Sequence, residues 1–168
     1  MRKVKTFGIM LGTLLIATIL FSGSAVAAWY YAGSVYSAVD CENPEEALGA
    51  PDSSYATVGT NEPTPATGDL WLDMGFTGIP DNQLFTVFGT NGWGLKEEYT
   101  VEVYRDDFLA SCGPWNNNWD TVDNNFTTGT SGSGHVWRYV KIDGEDGQTD
   151  ATDTIYGPEI DAVGYEYP

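Results

Sequence analysis

The chain has 168 residues, of which 24 are Asp or Glu and seven are Lys or Arg, so its formal net charge at pH 7 is −17. A surface this acidic repels phosphate backbones and anionic lipid headgroups, which excludes nucleic-acid binding and binding to anionic membranes. Two interpretations of the acid excess stay open: carboxylates that bind divalent cations, and a solvated acidic surface suited to a saline habitat.

The first 28 residues have the pattern of a cleavable signal peptide. Arg2, Lys3 and Lys5 precede an apolar run over 7–21, and small residues ending at Ala28 fit a cleavage site. The alternative is an uncleaved anchor, but the run is short for a bilayer span, which needs roughly 20 residues. We therefore predict a secreted or cell-surface protein with no stable membrane insertion after cleavage. Cleavage removes three of the seven basic residues, so four remain against 24 acidic residues.

Residues 29–168 are predicted to form a single all-β domain of about eight strands. A shorter apolar run covers 84–88, and apolar and polar residues alternate, between turn residues, loosely over 29–39 and more clearly over 70–74, 99–104 and 136–142. In the last of these segments the alternation places Trp137 and Tyr139 on the same face. Helix signals are weak and are best over 43–49. Many short strands with little helix predict an antiparallel β-sandwich or barrel.

Two cysteines, Cys41 and Cys112, follow the signal peptide. An even number of cysteines in an exported protein favours a disulfide between them, because export usually leads to oxidising surroundings. The alternative is two separate buried thiols.

The order of several segments resembles the galactose-binding-like jelly roll, of the discoidin and carbohydrate-binding-module type, found in secreted and cell-surface microbial proteins. The similar segments are ALGAPD at 47–52, YATVG at 55–59, LWLDMG at 70–75, FTVF at 85–88, EYTVEV at 98–103, RYVKI at 138–142 and PEIDAV at 158–163. The resemblance covers most of 36–165. It implies a β-sandwich, often with one structural calcium ion, that binds glycans through loops at one end.

The resemblance places a calcium site at Asp52 and Glu159, with Asp161 nearby. Carboxylates far apart in sequence can converge on this hard cation, which takes several oxygen ligands. The alternative is that Asp52 shapes a Pro-Asp turn and Glu159 is a solvated strand residue. A second acidic cluster over 143–153 does not have the spacing of an EF-hand loop, and a solvated loop is the simpler interpretation there.

Tryptophan and asparagine residues in irregular segments are the candidate sugar contacts. Trp93, Trp115 and Trp119 lie among Gly and Asn, and Asn116 and Asn118 separate two of them. Exposed indole rings stack on the apolar faces of sugars, and Asn amides exchange hydrogen bonds with hydroxyl groups. The alternative is that these tryptophans close the ends of the core.

The sequence predicts a non-catalytic binding module for carbohydrate or another cell-envelope polymer. A structural or adhesive envelope protein is the second hypothesis. The third is a glycosidase, because the strand at 159–163 resembles the nucleophile strand of retaining jelly-roll β-glucanases. Gly164 stands where their acid is expected, which leaves Glu166 as the candidate acid. The lone histidine, His135, predicts neither a catalytic triad nor a zinc site.

Overall fold

The computed structural model of the protein describes residues 27–59, 67–90, 99–116, 123–144 and 157–167. These ranges contain eleven strands and one short 3-10 helix, Pro44–Ala47. The strands are β1 (Ala28–Tyr31), β2 (Ser34–Val39), β3 (Cys41–Glu42), β4 (Ala56–Val58), β5 (Gly68–Asp73), β6 (Leu84–Thr90), β7 (Tyr99–Arg105), β8 (Ser111–Asn116), β9 (Asp123–Thr127), β10 (Trp137–Gly144) and β11 (Glu159–Tyr167).

The strands form two antiparallel sheets that pack as a sandwich. Sheet A has the order β3-β4-β11-β6-β9, and β1 also pairs with β11. Sheet B has the order β2-β5-β10-β7-β8. The predicted all-β antiparallel sandwich is confirmed. The segment 29–39, which alternates loosely and could be one strand from sequence, is divided between the sheets, because the chain leaves β1 in sheet A and enters β2 in sheet B within two residues.

Alternation along the strands builds the core between the sheets. In β5, Leu70 and Leu72 are fully buried, whereas Trp71 between them faces outward and is half-buried. In β7, Val101 and Val103 are fully buried in the same way. Side chains of both sheets meet in one hydrophobic cluster, as expected for facing sheets with alternating patterns.

Bulges in sheet B change which side chains face the core. The β10–β7 register shifts between Trp137 and Tyr139, so Arg138 is the extra residue. The prediction that Trp137 and Tyr139 share a face is therefore wrong. Trp137 belongs to the core, where its Nε1 donates a hydrogen bond of 2.9 Å to the Gly129 carbonyl, while Tyr139 is not part of the core cluster. A bulge adds one residue and so reverses the alternation beyond it.

Glycines allow three segments to cross at the end of β4. A Cβ atom at Gly144 or Gly157 would overlap the carbonyl oxygen of Val58, and one at Gly68 would overlap the backbone of Gly59. The absence of a side chain at these glycines therefore lets the two sheets approach each other closely at this end of the sandwich. Within the described ranges, no helix has the length and apolar character needed to cross a bilayer.

The predicted disulfide is wrong, since Cys41 and Cys112 are both free thiols. The Cys41 sulfur lies 3.3 Å from the Asp69 carbonyl oxygen of β5, whereas Cys112 belongs to β8. Three inter-strand steps separate β5 from β8, which is roughly 14 Å, while bridged cysteines have Cα atoms less than about 7 Å apart. Burial also raises the pKa of the Cys41 thiol to about 11, which disfavours the reactive thiolate.

Candidate ligand-binding surface

Three of the five predicted sugar-contact residues, Trp93, Trp119 and Asn118, lie outside the described residues. Trp115 is half-buried and packs against the core, with its ring centroid 5.8 Å from that of Phe85. This packing is what the alternative interpretation of Trp115 predicts. Asn116 is exposed at the end of β8. Because Trp115 packs against the core and Asn116 faces solvent, these two neighbours do not form one sugar site.

The residues predicted to bind calcium are partly brought together. The buried Asp161 carboxylate accepts hydrogen bonds from the backbone N–H groups of Asp52 at 2.9 Å and Ser53 at 3.2 Å. It therefore fixes the 52–54 turn to β11, and the exposed Asp52 carboxylate accepts from the N–H of Ser54 at 2.9 Å. Glu159 is half-buried on the same strand, opposite Thr57 of β4. Carboxylate oxygens of this kind suit a hard cation. The hydrogen bonds of Asp52 and Asp161 are also sufficient to explain the conformation of the turn without an ion.

The carboxylates considered for glycoside hydrolysis do not meet. Glu159 and Glu166 are seven residues apart along β11, which corresponds to roughly 23 Å at about 3.3 Å per residue. Retaining hydrolysis needs a separation of about 5–5.5 Å and inverting hydrolysis about 6.5–9.5 Å. This pair cannot serve as nucleophile and acid.

His135 belongs to an ion-pair network beside the β7–β8 turn. Its Nδ1 lies 2.8 Å from an oxygen of Asp106, and the ligand atoms of Asp106, Asp107 and His135 lie within 4.8 Å of one another. Arg105 holds both Asp107 oxygens through hydrogen bonds of 2.7 and 2.8 Å. The Arg105 guanidinium therefore already neutralises the Asp107 carboxylate, which a metal cation would need as a ligand.

The feature of the described surface best suited to a ligand is a group of aromatic rings on the outer side of sheet B. We call it the aromatic surface, and it consists of Tyr36, Trp71, Tyr104, Phe108 and Tyr139. The rings come from four adjacent strands, β2, β5, β10 and β7, and from the turn after β7. A paired sheet therefore fixes their spacing, which limits the conformational entropy lost when a ligand binds.

Tyr139 is the buried ring at the base of the aromatic surface. It is only 6% exposed, although it points away from the core, because neighbouring rings cover it. Phe108 stacks on it with centroids 4.4 Å apart and ring planes 14° apart, and Tyr36 lies 4.7 Å from it. Tyr36 is 54% exposed and Phe108 41%, so these two rings offer contact area to solvent.

Local backbone features direct two of the rings outward. Tyr36 is the extra residue of a bulge, since Val35 pairs with Leu72 and Ser37 with Trp71. Phe108 has a φ of 58°, in the left-handed region that non-glycine residues rarely adopt. The Phe108 N–H donates to the Arg105 carbonyl at 2.9 Å, which closes the turn and holds the ring over Tyr139. Strained residues of this kind often mark functional sites.

Polar side chains surround the Trp71 ring. The Lys141 ammonium lies 5.9 Å from its centroid and forms ion pairs with Asp69 at 3.1 Å and Asp143 at 2.9 Å. Burial acts to lower the pKa of Lys141, but its hydrogen bonds to Asp143 and Asp69 outweigh this effect, and the pKa is raised. Lys141 therefore stays charged at neutral pH.

Tyr104 and Glu102 form a phenol–carboxylate pair, which together with Lys141, Asp69 and Asp143 makes up the polar rim of the aromatic surface. The Tyr104 hydroxyl donates to Glu102 at 2.7 Å. Burial and this carboxylate raise the pKa of Tyr104 to about 12, so the phenol remains a donor at neutral pH. The rim therefore offers charged hydrogen-bonding groups next to apolar rings, the combination that small-molecule sites use for orientation and contact.

Sequence reasoning missed the aromatic surface, although part of the signal was present. Trp71, Tyr104 and Tyr139 occupy positions that alternate with core residues, where solvated strands usually carry polar side chains. Large aromatic residues at such positions indicate an interaction surface. Tyr36 and Phe108 join it through a bulge and a turn, which alternation does not reveal.

Comparisons with known proteins give one solved structure with a similar backbone path. A scan of protein-family models and a search of curated proteins give no match. Among solved structures, a protein described as truncated AlyQ with CBM32 and alginate lyase domains is similar over 84% of this chain, with 11% sequence identity and a TM-score of 0.48. The chain spans about a third of that protein's length, the alignment covering 34% of it.

Proposed function

We propose that this protein is a non-catalytic carbohydrate-binding module that works outside the cytoplasm, and that the aromatic surface holds its polysaccharide. The supporting observation is the clustering of five rings on the solvent side of a paired sheet, beside charged hydrogen-bonding groups. Sugar rings have apolar C–H faces and hydroxyl edges. Aromatic side chains match the faces, and carboxylates and ammonium groups match the edges.

The charges around the rings favour a neutral polysaccharide. Two carboxylates, those of Asp69 and Asp143, pair with the Lys141 ammonium, and a third, that of Glu102, accepts from the Tyr104 hydroxyl. An anionic polymer would meet net repulsion at the rim and from the acidic chain as a whole, whose net charge is −17. Hydroxyl groups, by contrast, can donate hydrogen bonds to carboxylate oxygens without a charge conflict.

Calcium at Asp52, Glu159 and Asp161 remains part of the proposal, as a structural ion. It is supported by the meeting of the 52–54 turn with β11 through Asp161. An ion there would add a second connection between the same segments, remote from the sugar-binding rings. Its expected effect is on stability.

The test is depletion of the 29–168 protein from solution by microcrystalline cellulose, chitin, insoluble β-glucan and calcium alginate beads. We expect retention on at least one neutral polymer and none on alginate. Trp71→Ala should weaken the retention about tenfold or more, since a central aromatic anchor typically contributes about 2 kcal/mol. Leu109→Ala is the matched control, because Leu109 is 80% exposed beside the same turn and has no ring.

Phe108→Gly separates binding from folding. Glycine adopts a φ of 58° without strain, so the turn is retained while the ring is lost. Binding should fall while the melting temperature changes little. Retention of the wild type on none of the neutral polymers, or unchanged binding by both Trp71→Ala and Phe108→Gly, contradicts the proposal.

A structural or adhesive envelope protein is the second candidate. It is favoured by exposed apolar side chains on both sheets, such as Tyr36 at 54% and Leu84 at 52%. Concentration-dependent self-association in sedimentation experiments, without retention on any polysaccharide, supports this candidate in place of the first.

A further inference from the structure

A second group of rings lies on the opposite side of the sandwich. In β1, Trp29 and Tyr31 point to the outer side of sheet A, opposite Glu166 and Gly164 of β11. The intervening Tyr30 points the other way and stacks on Tyr165, which belongs to the core. Period-2 alternation thus brings two rings of one short strand to the surface.

The two rings are aligned with each other. Their centroids lie 5.9 Å apart and their planes differ by 15°. Phe88 of β6 supports Trp29 edge-on, with a centroid distance of 5.3 Å. Trp29 is 40% exposed. A Cβ atom at Gly164 would lie 2.5 Å from the Tyr31 ring, so the missing side chain lets this ring lie directly over β11.

Hydroxyl and amide groups continue the row that begins at Tyr31. Gly164 pairs with Thr86 of β6, which pairs with Asn125 of β9. The Thr86 hydroxyl donates to the Asn125 side-chain oxygen at 2.6 Å, and Asn125 is exposed. The row from ring to amide crosses three inter-strand steps, roughly 14 Å. Thr86 itself is buried, so the row offers a stacking surface at one end and the exposed Asn125 amide at the other.

We propose that this face, which we call the Trp29 surface, is a second binding site for neutral polysaccharide, and that the protein bridges two chains. This inference rests on the proposed function of the aromatic surface. The row itself contains no charged side chain, and the flanking Glu166 and Asp123 are acidic, which disfavours polyanions. The same acidity disfavours a second copy of this chain as the occupant, since both copies carry a net charge of −17.

Bridging follows from the direction of the two surfaces. Packed sheets lie about 10 Å apart, and the two groups of rings point outward on opposite sides. One extended polysaccharide lies along one side only. A protein that uses both surfaces therefore binds two chains at once and increases the strength of a network by multivalency.

The experiment compares binding with cross-linking in the 29–168 protein. Binding is measured by depletion on the insoluble polymer that retains the wild type. Cross-linking is measured as agglutination of particles coated with the same polysaccharide, after sedimentation has established that the protein is monomeric. The variants are Trp29→Ala, Trp71→Ala and the double variant. Tyr167→Ala is the control, because Tyr167 is 51% exposed at the same edge but contacts Tyr30, which lies on the core side.

We expect each single variant to keep measurable depletion and to lose agglutination, the double variant to lose both, and the control to keep both. Trp29→Phe should restore part of the agglutination, which separates loss of the ring from loss of β1 pairing. Agglutination by Trp29→Ala at the wild-type level overturns the second site and leaves the proposed function standing. A wild-type dimer that Trp29→Ala converts to monomer also overturns it, since the surface is then an interface between copies. Absence of wild-type depletion refutes the proposed function itself.

Discussion

At the scale of single residues, Asp73 and Arg138 form a charged pair between two strands of sheet B. Two hydrogen bonds of 2.9 and 2.7 Å join them across β5 and β10, and the guanidinium also lies 5.2 Å from the Tyr139 ring centroid. Arg138 is the extra residue of the β10 bulge. The pair therefore fixes the bulge that turns Tyr139 outward.

The pair predicts a pH-dependent stability. The hydrogen bond from Arg138 holds the pKa of Asp73 below its usual value, although partial burial opposes this. A carboxylate with a lowered folded-state pKa stabilises the protein above its unfolded pKa of about 3.9 and loses this contribution as pH falls through the folded value. Asp73→Asn should therefore lower the urea midpoint near pH 7, with a smaller difference near pH 3. An equal difference at both values contradicts the role of the ionised carboxylate.

The calcium proposal is tested at Glu159. If the ion is bound, calcium should raise the melting temperature of the wild type relative to chelator, by the stabilisation that any native-state ligand gives. Glu159→Gln should reduce this increment while the melt in chelator changes little. Glu166→Gln is the control, since Glu166 lies at the far end of β11. The same loss in calcium and in chelator argues against the ion.

At the scale of elements, β1 depends on one glycine of its partner strand. Gly164→Ala should lower stability by about 1–3 kcal/mol, because the new methyl group overlaps the Tyr31 ring and approaches the Tyr30 carbonyl oxygen to 2.9 Å. Gly33→Ala is a matched control, since a Cβ there has no neighbour within 4 Å. Urea unfolding of both variants measures the difference. Equal midpoints would show that β1 moves aside without cost.

The strands themselves were predictable, but the faces they present were predictable only in part. Alternation over 70–74 and 99–104 predicts strands because a half-buried sheet has a period of two. One inserted residue reverses that pattern, and neither Tyr36 nor Arg138 differs from an ordinary strand residue. The aromatic surface also depends on register between strands distant in sequence, which residue patterns within one strand do not determine.

For candidate site residues, the sequence was most informative where a contact involves a turn. The resemblance placed Asp52 and Glu159 at one calcium ion with Asp161 nearby, and in the structure the Asp161 carboxylate accepts a hydrogen bond from the backbone N–H of Asp52. Trp115 shows the limit, because an indole ring among Asn and Gly looks the same in sequence whether it binds a ligand or packs on Phe85. Burial decides between the two, and burial depends on the whole fold.

For the molecule as a whole, non-covalent packing joins the two sheets within the described ranges, because Cys41 and Cys112 are free thiols. We predict that a reducing agent leaves the melting temperature unchanged. Denatured protein that has never been reduced should take up two alkylating groups per chain, as counted by mass spectrometry. A lower melting temperature in reductant, or uptake of no alkylating group, contradicts the free-thiol assignment.

The pairing of β1 with β11 places the first and last described strands side by side, with Ala28 opposite Tyr167. Cα atoms of antiparallel partners are about 5 Å apart, so a linker of a few residues can join these positions. The sandwich is thus suited to circular permutation, with new ends opened in an exposed turn outside the aromatic surface, such as 133–134. It is equally suited to insertion into a surface loop of another protein, where both outer faces would stay accessible.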